Sequence, residues 1–137
     1  MIDKRNILYV DASFGYSSGY GVRSEPLVEI MPVKDVDVYI TPDSLRGSFL
    51  ASAMSFDMLA LNLSIQRPGE MIHNFRRRNR DSSVVVYTPH HGMTLSPLNI
   101  EGVFADLIEY QENHCSSREK IMQAVRTLDM LRTGVRA

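Results

Sequence analysis

Residues 58–63, MLALNL, form a short and nearly continuous apolar run near the middle of the chain. Such a run predicts a strand that is buried on both faces, as the central strands of parallel sheets are. Pro68 follows shortly afterwards, and proline is favoured in the first turn of a helix. We therefore predict a central strand followed directly by a helix, which is the repeating unit of an α/β fold.

Three further segments predict strands, because they are rich in β-branched and aromatic residues. They are residues 6–12 (NILYVDA), 36–40 (VDVYI) and 84–87 (VVVY). Since the predicted strands alternate with predicted helices, we expect one α/β domain over residues 1–137. Its mainly parallel sheet would have helices on both faces, and its function would lie at the carboxyl ends of the strands.

Three segments predict helices, because apolar residues recur at helical spacing next to start or stop signals. The first begins at Thr41-Pro42, ends near residue 54 and carries apolar residues at helical spacing: Leu45, Phe49 and Ala53. The second begins at Pro68, ends in three arginines and would bury Met71, Ile72 and Phe75.

The last helix has the clearest signals. Ser116 and Glu119 form a capping box at its start, and Gly134 is a stop signal at its end. Its apolar stripe consists of Ile121, Val125, Leu128 and Leu131.

Some stretches leave their structure open. Residues 22–32 contain two prolines around LVEIM, which is too short for a secure helix and fits an extended piece equally well. Residues 103–110, VFADLIEY, fit either a strand or a helix. Residues 13–21 include three glycines and predict a loop, and residues 89–99 are weakly patterned.

The composition excludes several classes of protein. Apolar residues make up 44% and charged residues 23% of the chain, as in soluble globular proteins. The net charge of -1 argues against bulk binding of nucleic acid. The single cysteine, Cys115, excludes an intrachain disulfide and a cysteine-based zinc site. We see no membrane-spanning apolar run and no secretory leader, and we expect a cytoplasmic protein.

The predicted strands end in polar residues that a parallel sheet would bring to one edge: Asp11, Thr41, Asn62, Thr88 and the pair Glu109/Tyr110. Together with the surrounding segments, they resemble the receiver domain of two-component response regulators over nearly the whole chain. ILYVDA resembles its first strand, and FDMLALNLSI the strand that normally ends in the phospho-accepting aspartate. SSVVVYTP resembles the strand of the switch Ser/Thr, and GVFADLIEY the fifth strand. The resemblance implies a three-layer αβα sandwich with a five-stranded, mainly parallel sheet in flavodoxin-like order.

Most residues that carry the chemistry of that family are replaced here. Asn62 stands at the phospho-acceptor position, and an amide is neither a nucleophile towards a phosphoryl donor nor a charged metal ligand. Asp11 is the one acid left at the end of the first strand. Glu109 or Tyr110 replaces the lysine, while Thr88 matches the switch residue. The resemblance therefore implies a degenerate receiver, or pseudo-receiver, with no catalytic residue, no bound metal and no cofactor.

Such a domain would act in signal transduction by binding a partner protein without phosphorylation. The resemblance points to the last helix and the strand before it as the contact face, and we expect Tyr110, Met122, Arg126 and Met130 to form it. Methionine adapts to irregular surfaces, and tyrosine is a frequent anchor in interfaces. A homodimer is the simplest assembly. Nucleic acid is not an expected partner, because the clustered arginines of the second helix simply oppose its dipole.

A second interpretation is an RNase H-like nuclease domain that resembles bacterial Holliday-junction resolvases and has a mixed sheet. In that fold, ILYVDAS would lead through a glycine turn into a second strand, and LVEIMPV would be a third, antiparallel strand. Asp11 and Glu119 would hold metal ions for hydrolysis, in a site that lacks the other acids. A helix within residues 13–35 favours the receiver, and a β-hairpin there favours the nuclease.

Overall fold

The computed structural model describes residues 4–16, 28–91 and 99–133. Its main sheet has six strands in the order β2-β3-β1-β4-β5-β8. These strands are β1 Arg5–Val10, β2 Glu29–Val33, β3 Val36–Thr41, β4 Met58–Asn62, β5 Ser83–Thr88 and β8 Leu107–Tyr110. A two-stranded hairpin is formed by β6 Asn99–Ile100 and β7 Val103–Phe104. The helices are α1 Ser44–Ala53, α2 Pro68–Arg78 and α3 Ser117–Thr133, and a 3₁₀ turn spans Ala12–Tyr16.

The central strand β1 pairs in parallel with β3 on one side and with β4 on the other. The sheet continues in parallel through β5 to β8. These pairings confirm the mainly parallel α/β sheet in receiver-like, flavodoxin-like order, but the sheet has six strands rather than five. The additional strand is β2, which lies antiparallel to β3 at the edge. Pro32 is tolerated in β2 because one side of an edge strand has no ladder to join.

Strands β2 and β3 form a hairpin around residues 34–35, where Lys34 has a φ of 56°. The extended alternative for residues 22–32 is therefore confirmed from residue 29 onward, where the chain forms β2. Residues 17–27 lie outside the described residues. A hairpin in this region is the feature expected of the RNase H-like alternative. However, β1 is already paired with a parallel strand on each side, so that no antiparallel strand can pair with it. The sheet therefore does not have the RNase H-like order.

Side chains of β1 alternate between the two faces of the sheet. Leu8 and Val10 pack in the cluster that includes residues of α1 and α2, whereas Ile7 and Tyr9 pack in the cluster that includes residues of α3. All four side chains are fully buried. Helices therefore cover both faces of the sheet, and the predicted three-layer arrangement is confirmed.

Helix α1 differs from the prediction in its start. It begins at Ser44, because Thr41 still belongs to β3, and the Asp43 carboxylate caps it by accepting a hydrogen bond from the N–H of Arg46 at 2.8 Å. Leu45 and Phe49, whose spacing indicated the helix, do not face the core, since they are 80% and 71% exposed. Ala53 is exposed as well.

Small residues face the core from α1 instead, namely Gly47 and Ala51. A Cβ atom on Gly47 would lie 2.9 Å from Cγ2 of Val10 and 3.0 Å from Sδ of Met71. The helix therefore lies too close to the sheet and to α2 for large side chains on this face. Apolar spacing predicted the helix but could not identify its inner face, because both faces carry apolar residues.

Helices α2 and α3 agree with the prediction. Met71, Ile72 and Phe75 are buried in α2. In the capping box of α3, the N–H of Ser116 donates to Glu119 at 3.0 Å and the N–H of Glu119 donates to Oγ of Ser116 at 3.2 Å. The predicted stripe of α3 is buried except for half-buried Leu131, and Gly134 lies outside the described residues.

Among the helices of the described ranges, none has the length and apolarity that a membrane crossing requires.

Residues 103–104 and 107–110 form strands, so the helical alternative for residues 103–110 is wrong. The turn of the β6–β7 hairpin consists of Glu101 and Gly102, with φ values of 49° and 91°, as two-residue hairpin turns require. This turn packs against the start of α2, where a Cβ on Gly69 would lie 2.6 Å from Cβ of Glu101. Glycine at position 69 therefore allows the hairpin to approach, and its N–H donates to the Glu101 carboxylate at 3.3 Å.

Candidate functional site

The parallel sheet brings the polar strand ends to one edge, as predicted. The N–H of Asp11 donates to the carbonyl of Thr41 at 3.1 Å, and the N–H of Gln111 donates to the carbonyl of Thr88 at 2.9 Å. Asp11, Thr41 and Thr88 are all buried. Within the described ranges, Oγ1 of Thr41 is a buried side-chain atom that lacks a hydrogen-bond partner.

Asp11 forms a buried ion pair with Lys120 from the first turn of α3. The Nζ of Lys120 lies 2.9 Å from Oδ2 of Asp11, and the two side chains are 8% and 1% exposed. The same Nζ donates to Oγ of Ser13 at 3.0 Å, and the N–H of Ser13 donates to Oδ1 of Asp11 at 2.8 Å. The carboxylate that was predicted to remain at this edge is therefore neutralised and hydrogen-bonded within the chain itself.

Lys120 was not among the site residues predicted from the sequence. One feature could have indicated that Lys120 lies on the inner side of α3. It is four residues, about one helical turn, before Ala124, which is fully buried. A lysine on the inner side of a helix needs a partner for its charge, because an isolated buried ammonium group is costly. The partner is 109 positions away in the sequence, so that only the fold could identify it.

Both the nitrogen and the oxygen of the Asn62 side-chain amide form hydrogen bonds. Its Nδ2 donates to Oε1 of Gln111 at 3.0 Å, and its Oδ1 accepts from the N–H of Ser64 at 2.9 Å. The Oγ of Ser64 in turn accepts from the N–H of Ala12 at 3.2 Å and lies 3.5 Å from Oδ1 of Asp11. We call the connected residues Asp11, Asn62, Ser64, Gln111 and Lys120 the strand-end network.

Gln111 determines which chemical group fits at position 62. Its Nε2 donates to the hydroxyl of Tyr9 at 2.9 Å and to Oε1 of Gln123 at 3.0 Å. Both hydrogens of that amide are therefore used, and its oxygen faces Asn62. An oxygen requires a donor, which asparagine has and an ionised aspartate lacks. The surroundings of position 62 are thus suited to an amide rather than a carboxylate.

In the pairing of β5 with β8, Glu109 lies opposite Tyr87 and Tyr110 lies opposite Thr88. The ring of Tyr110 stacks on His91, with centroids 3.6 Å apart. Glu109 instead accepts a hydrogen bond from Oγ1 of Thr127 in α3 at 2.6 Å. The Oγ1 of Thr88 accepts from the N–H of His90 at 3.2 Å.

Three of the residues predicted for an interface lie on α3, namely Met122, Arg126 and Met130, and Tyr110 is the last residue of β8. Arg126 is exposed, whereas Tyr110, Met122 and Met130 are half-buried. Gln123 of α3 donates from Nε2 to the carbonyl of Tyr110 at 3.1 Å. Since Gln123 also accepts from Gln111, hydrogen bonds connect the strand-end network to this face.

The remaining candidate site residues lie outside the strand-end network or already have partners within the chain. Glu119, which the nuclease alternative requires, is exposed and belongs to the capping box, and its pKa is lowered mainly by the hydrogen bond from the Ser116 N–H. Arg76 pairs with Asp106 at 3.1 Å and donates to the carbonyl of Phe104 at 3.0 Å. Over the described residues, no group of three or more His, Cys, Asp or Glu side chains has the arrangement of a metal site.

Two buried tyrosines flank the network on the α3 side of the sheet. The rings of Tyr9 and Tyr87 stack with centroids 5.7 Å apart. Burial is the main reason why the pKa of Tyr9 is raised well above its usual range, and the neighbouring Tyr87 raises it further. Burial likewise raises the pKa of Tyr87, although a hydrogen bond with Thr127 partly opposes the effect.

These raised pKa values predict a loss of stability in alkaline solution. An unfolded tyrosine ionises near pH 10, whereas the folded protein keeps both phenols neutral to higher pH. The stabilisation is complete below about pH 10 and falls above it, by about 1.4 kcal/mol per pH unit for each tyrosine. Denaturant unfolding from pH 8 to 11.5 measures this slope, which Tyr87→Phe should reduce. An equal slope in the variant would mean that ionisation of Tyr87 does not cause the loss of stability.

A solved structure with a similar fold is the response regulator receiver protein from Sinorhizobium medicae WSM419. The TM-score is 0.50 at 13% sequence identity, and the match covers 94% of this chain and 98% of that chain. At this identity the likeness concerns the fold alone. No protein-family model matches the chain, and no curated protein sequence is similar to it.

Proposed function

We propose that this chain is a receiver-like signalling domain that acts through protein–protein contacts and is not phosphorylated. The observation that carries the proposal is the state of the strand-end network, in which every charged or amide group already has a partner within the chain. On this proposal the domain has no enzymatic activity, belongs to a two-component type of pathway and works in the cytoplasm.

The buried ion pair supports this proposal on electrostatic grounds. A divalent cation at Asp11 would have to approach the Nζ of Lys120, which lies 2.9 Å from the same carboxylate. Two cations at that separation repel each other strongly where solvent screening is weak. A single carboxylate is also a poor site for Mg²⁺, which prefers several oxygen ligands.

The partner of Asn62 supports the proposal on chemical grounds. Phosphoryl transfer to a receiver requires a nucleophilic carboxylate, and an amide does not supply one. Restoring aspartate at position 62 would place a carboxylate 3.0 Å from the amide oxygen of Gln111. The network is therefore arranged around the amide.

We place the partner on the face formed by Tyr110, Met122, Arg126 and Met130. This face combines a half-buried aromatic ring, flexible thioethers and an exposed guanidinium group, which are residue types enriched in interfaces. Its occupant on this proposal is a second copy of the chain or another signalling protein, and not nucleic acid.

Charge reversal on this face tests the proposal. We expect Arg126→Glu to weaken self-association or partner binding at least tenfold, and the pair Tyr110→Glu and Met130→Glu to abolish it. Sedimentation equilibrium measures self-association, and thermal unfolding checks the fold. Because Arg126 is exposed, its single variant remains informative even if the double variant unfolds. Unchanged association in the folded Arg126→Glu protein would place the interface elsewhere.

A second prediction concerns phosphoryl donors. Incubation with acetyl phosphate and Mg²⁺ is expected to leave the mass of the intact protein unchanged, because position 62 has no carboxylate. The variant Asn62→Asp introduces a carboxylate at that position and is the matched comparison. A stable phosphoryl adduct on any carboxylate of the unaltered chain would contradict the proposal.

A further inference from the structure

The outer surface of α1 exposes two large apolar side chains. Leu45 is 80% exposed, and Phe49, one turn further along, is 71% exposed. Burying a side chain of this size contributes about 1.5–3 kcal/mol, so exposing two of them forgoes substantial stability. Residues three or four apart share one side of a helix, and the two side chains therefore form one apolar strip.

A groove lies beside this strip, between α1 and α2. One part of it has a volume of about 350 Å³ and is lined by Ser48, Ser52, Asn74, Arg77 and Arg78. An adjoining part of about 240 Å³ shares Ser48 and Asn74 with the first and is lined by Leu45 as well. The two shared residues are joined by a hydrogen bond, which Nδ2 of Asn74 donates to Oγ of Ser48 at 3.1 Å. We call the two parts together the α1–α2 groove.

The larger part of the groove is bordered by Arg77 and Arg78, whereas the smaller part is lined by Glu70 and its partner Arg67. Other arginines of these helices are paired, Arg46 with Asp43 and Arg67 with Glu70. Arg77 and Arg78 are exposed and form no ion pair within the part of the chain that the structure describes. At the groove, Nη1 of Arg78 donates a hydrogen bond to the carbonyl of Ser52 at 3.5 Å.

We propose that the α1–α2 groove is a docking surface for an acidic amphipathic helix of a partner protein. The apolar side of that helix would cover Leu45 and Phe49, and its carboxylates would pair with Arg77 and Arg78. Helix-in-groove recognition uses this combination of apolar anchors and complementary charge. Nucleic acid explains the surface less well, because it would leave the apolar strip exposed.

This surface is independent of the proposed interface on α3. Helices α1 and α2 cover one face of the sheet and α3 covers the other, as the two core clusters show. Variants on one surface therefore test one proposal without disturbing the other.

Selection from a displayed library of random 16-residue peptides on the intact chain tests the proposal. We expect the enriched peptides to carry acidic residues together with large apolar residues three or four positions apart. Phe49→Ser should weaken their binding at least tenfold, and so should Arg77→Glu/Arg78→Glu. Phe104→Ser changes an exposed phenylalanine elsewhere, Arg126→Glu changes an exposed arginine of α3, and both should leave binding unchanged.

Several results would overturn the proposal. One is the absence of enrichment, and another is a set of enriched peptides that bind the Phe49→Ser and double-arginine variants as well as the parent. Binding of a labelled 16-nucleotide single-stranded DNA that requires Arg77 and Arg78 would identify a nucleic-acid surface instead. Self-association that Phe49→Ser abolishes would identify a second copy of the chain as the occupant.

Discussion

Replacing Lys120 with methionine is expected to lower the free energy of unfolding by about 3–5 kcal/mol, as removal of one partner from a buried ion pair does. The loss arises because Asp11, 1% exposed, would keep a charge without its cationic partner. Chemical denaturation at neutral pH measures the change. Asp11→Asn/Lys120→Met removes both charges, and we expect it to be less destabilised than Lys120→Met alone.

Lys4 provides a matched control for this prediction. Its Nζ lies 3.5 Å from Asp37, but its side chain is 59% exposed. Solvent screens such a pair, so Lys4→Met should cost less than about 1 kcal/mol. If Lys120→Met were no more costly than Lys4→Met, the buried ion pair would not stabilise the strand-end network.

Phe75→Ala is expected to destabilise the protein by about 3–5 kcal/mol, the usual range for removing a buried phenylalanine. Phe75 is fully buried in α2, and its ring lies 6.4 Å from that of Phe56 between centroids. The substitution would remove apolar contacts and leave a cavity between α2 and the sheet. Thermal and denaturant unfolding both measure the effect.

Phe104→Ala is the comparison for Phe75→Ala, because the same atoms are removed from a side chain that is 61% exposed. Its effect should stay within about 0.5 kcal/mol, as for most surface substitutions. Equal losses in the two variants would mean that α2 does not pack against the sheet as described.

Much of the fold could be predicted because it depends on short segments. The run MLALNL predicted a buried strand, and β4 spans Met58–Asn62 with all but its last residue buried. The capping box at Ser116 and Glu119 predicted the start of α3 to within a residue. By contrast, β2 lies in a stretch with two prolines whose local pattern is weak, and its pairing with β3 decided its conformation.

The candidate site was predictable in part. The polar strand ends were predicted together because parallel strands align their carboxyl ends at one edge. Gln111 and Lys120 were missed, since neither lies at a position where the receiver resemblance places a functional group. Gln111 follows β8 directly, yet its contacts with Asn62, Tyr9 and Gln123 join four separate elements or loops.

The sequence by itself determined the alternation of strands and helices, the burial of β1, β4 and β5, and the presence of an amide at position 62. These properties depend on the identity and spacing of neighbouring residues, which local stereochemistry turns into strands, helices and caps. Only the tertiary structure decided that α1 turns Gly47 inward and Phe49 outward, because the distance from α1 to Val10 and Met71 limits what fits between them. It also decided that Lys120 neutralises Asp11, because a charge 109 positions away becomes a partner only when α3 packs on the sheet.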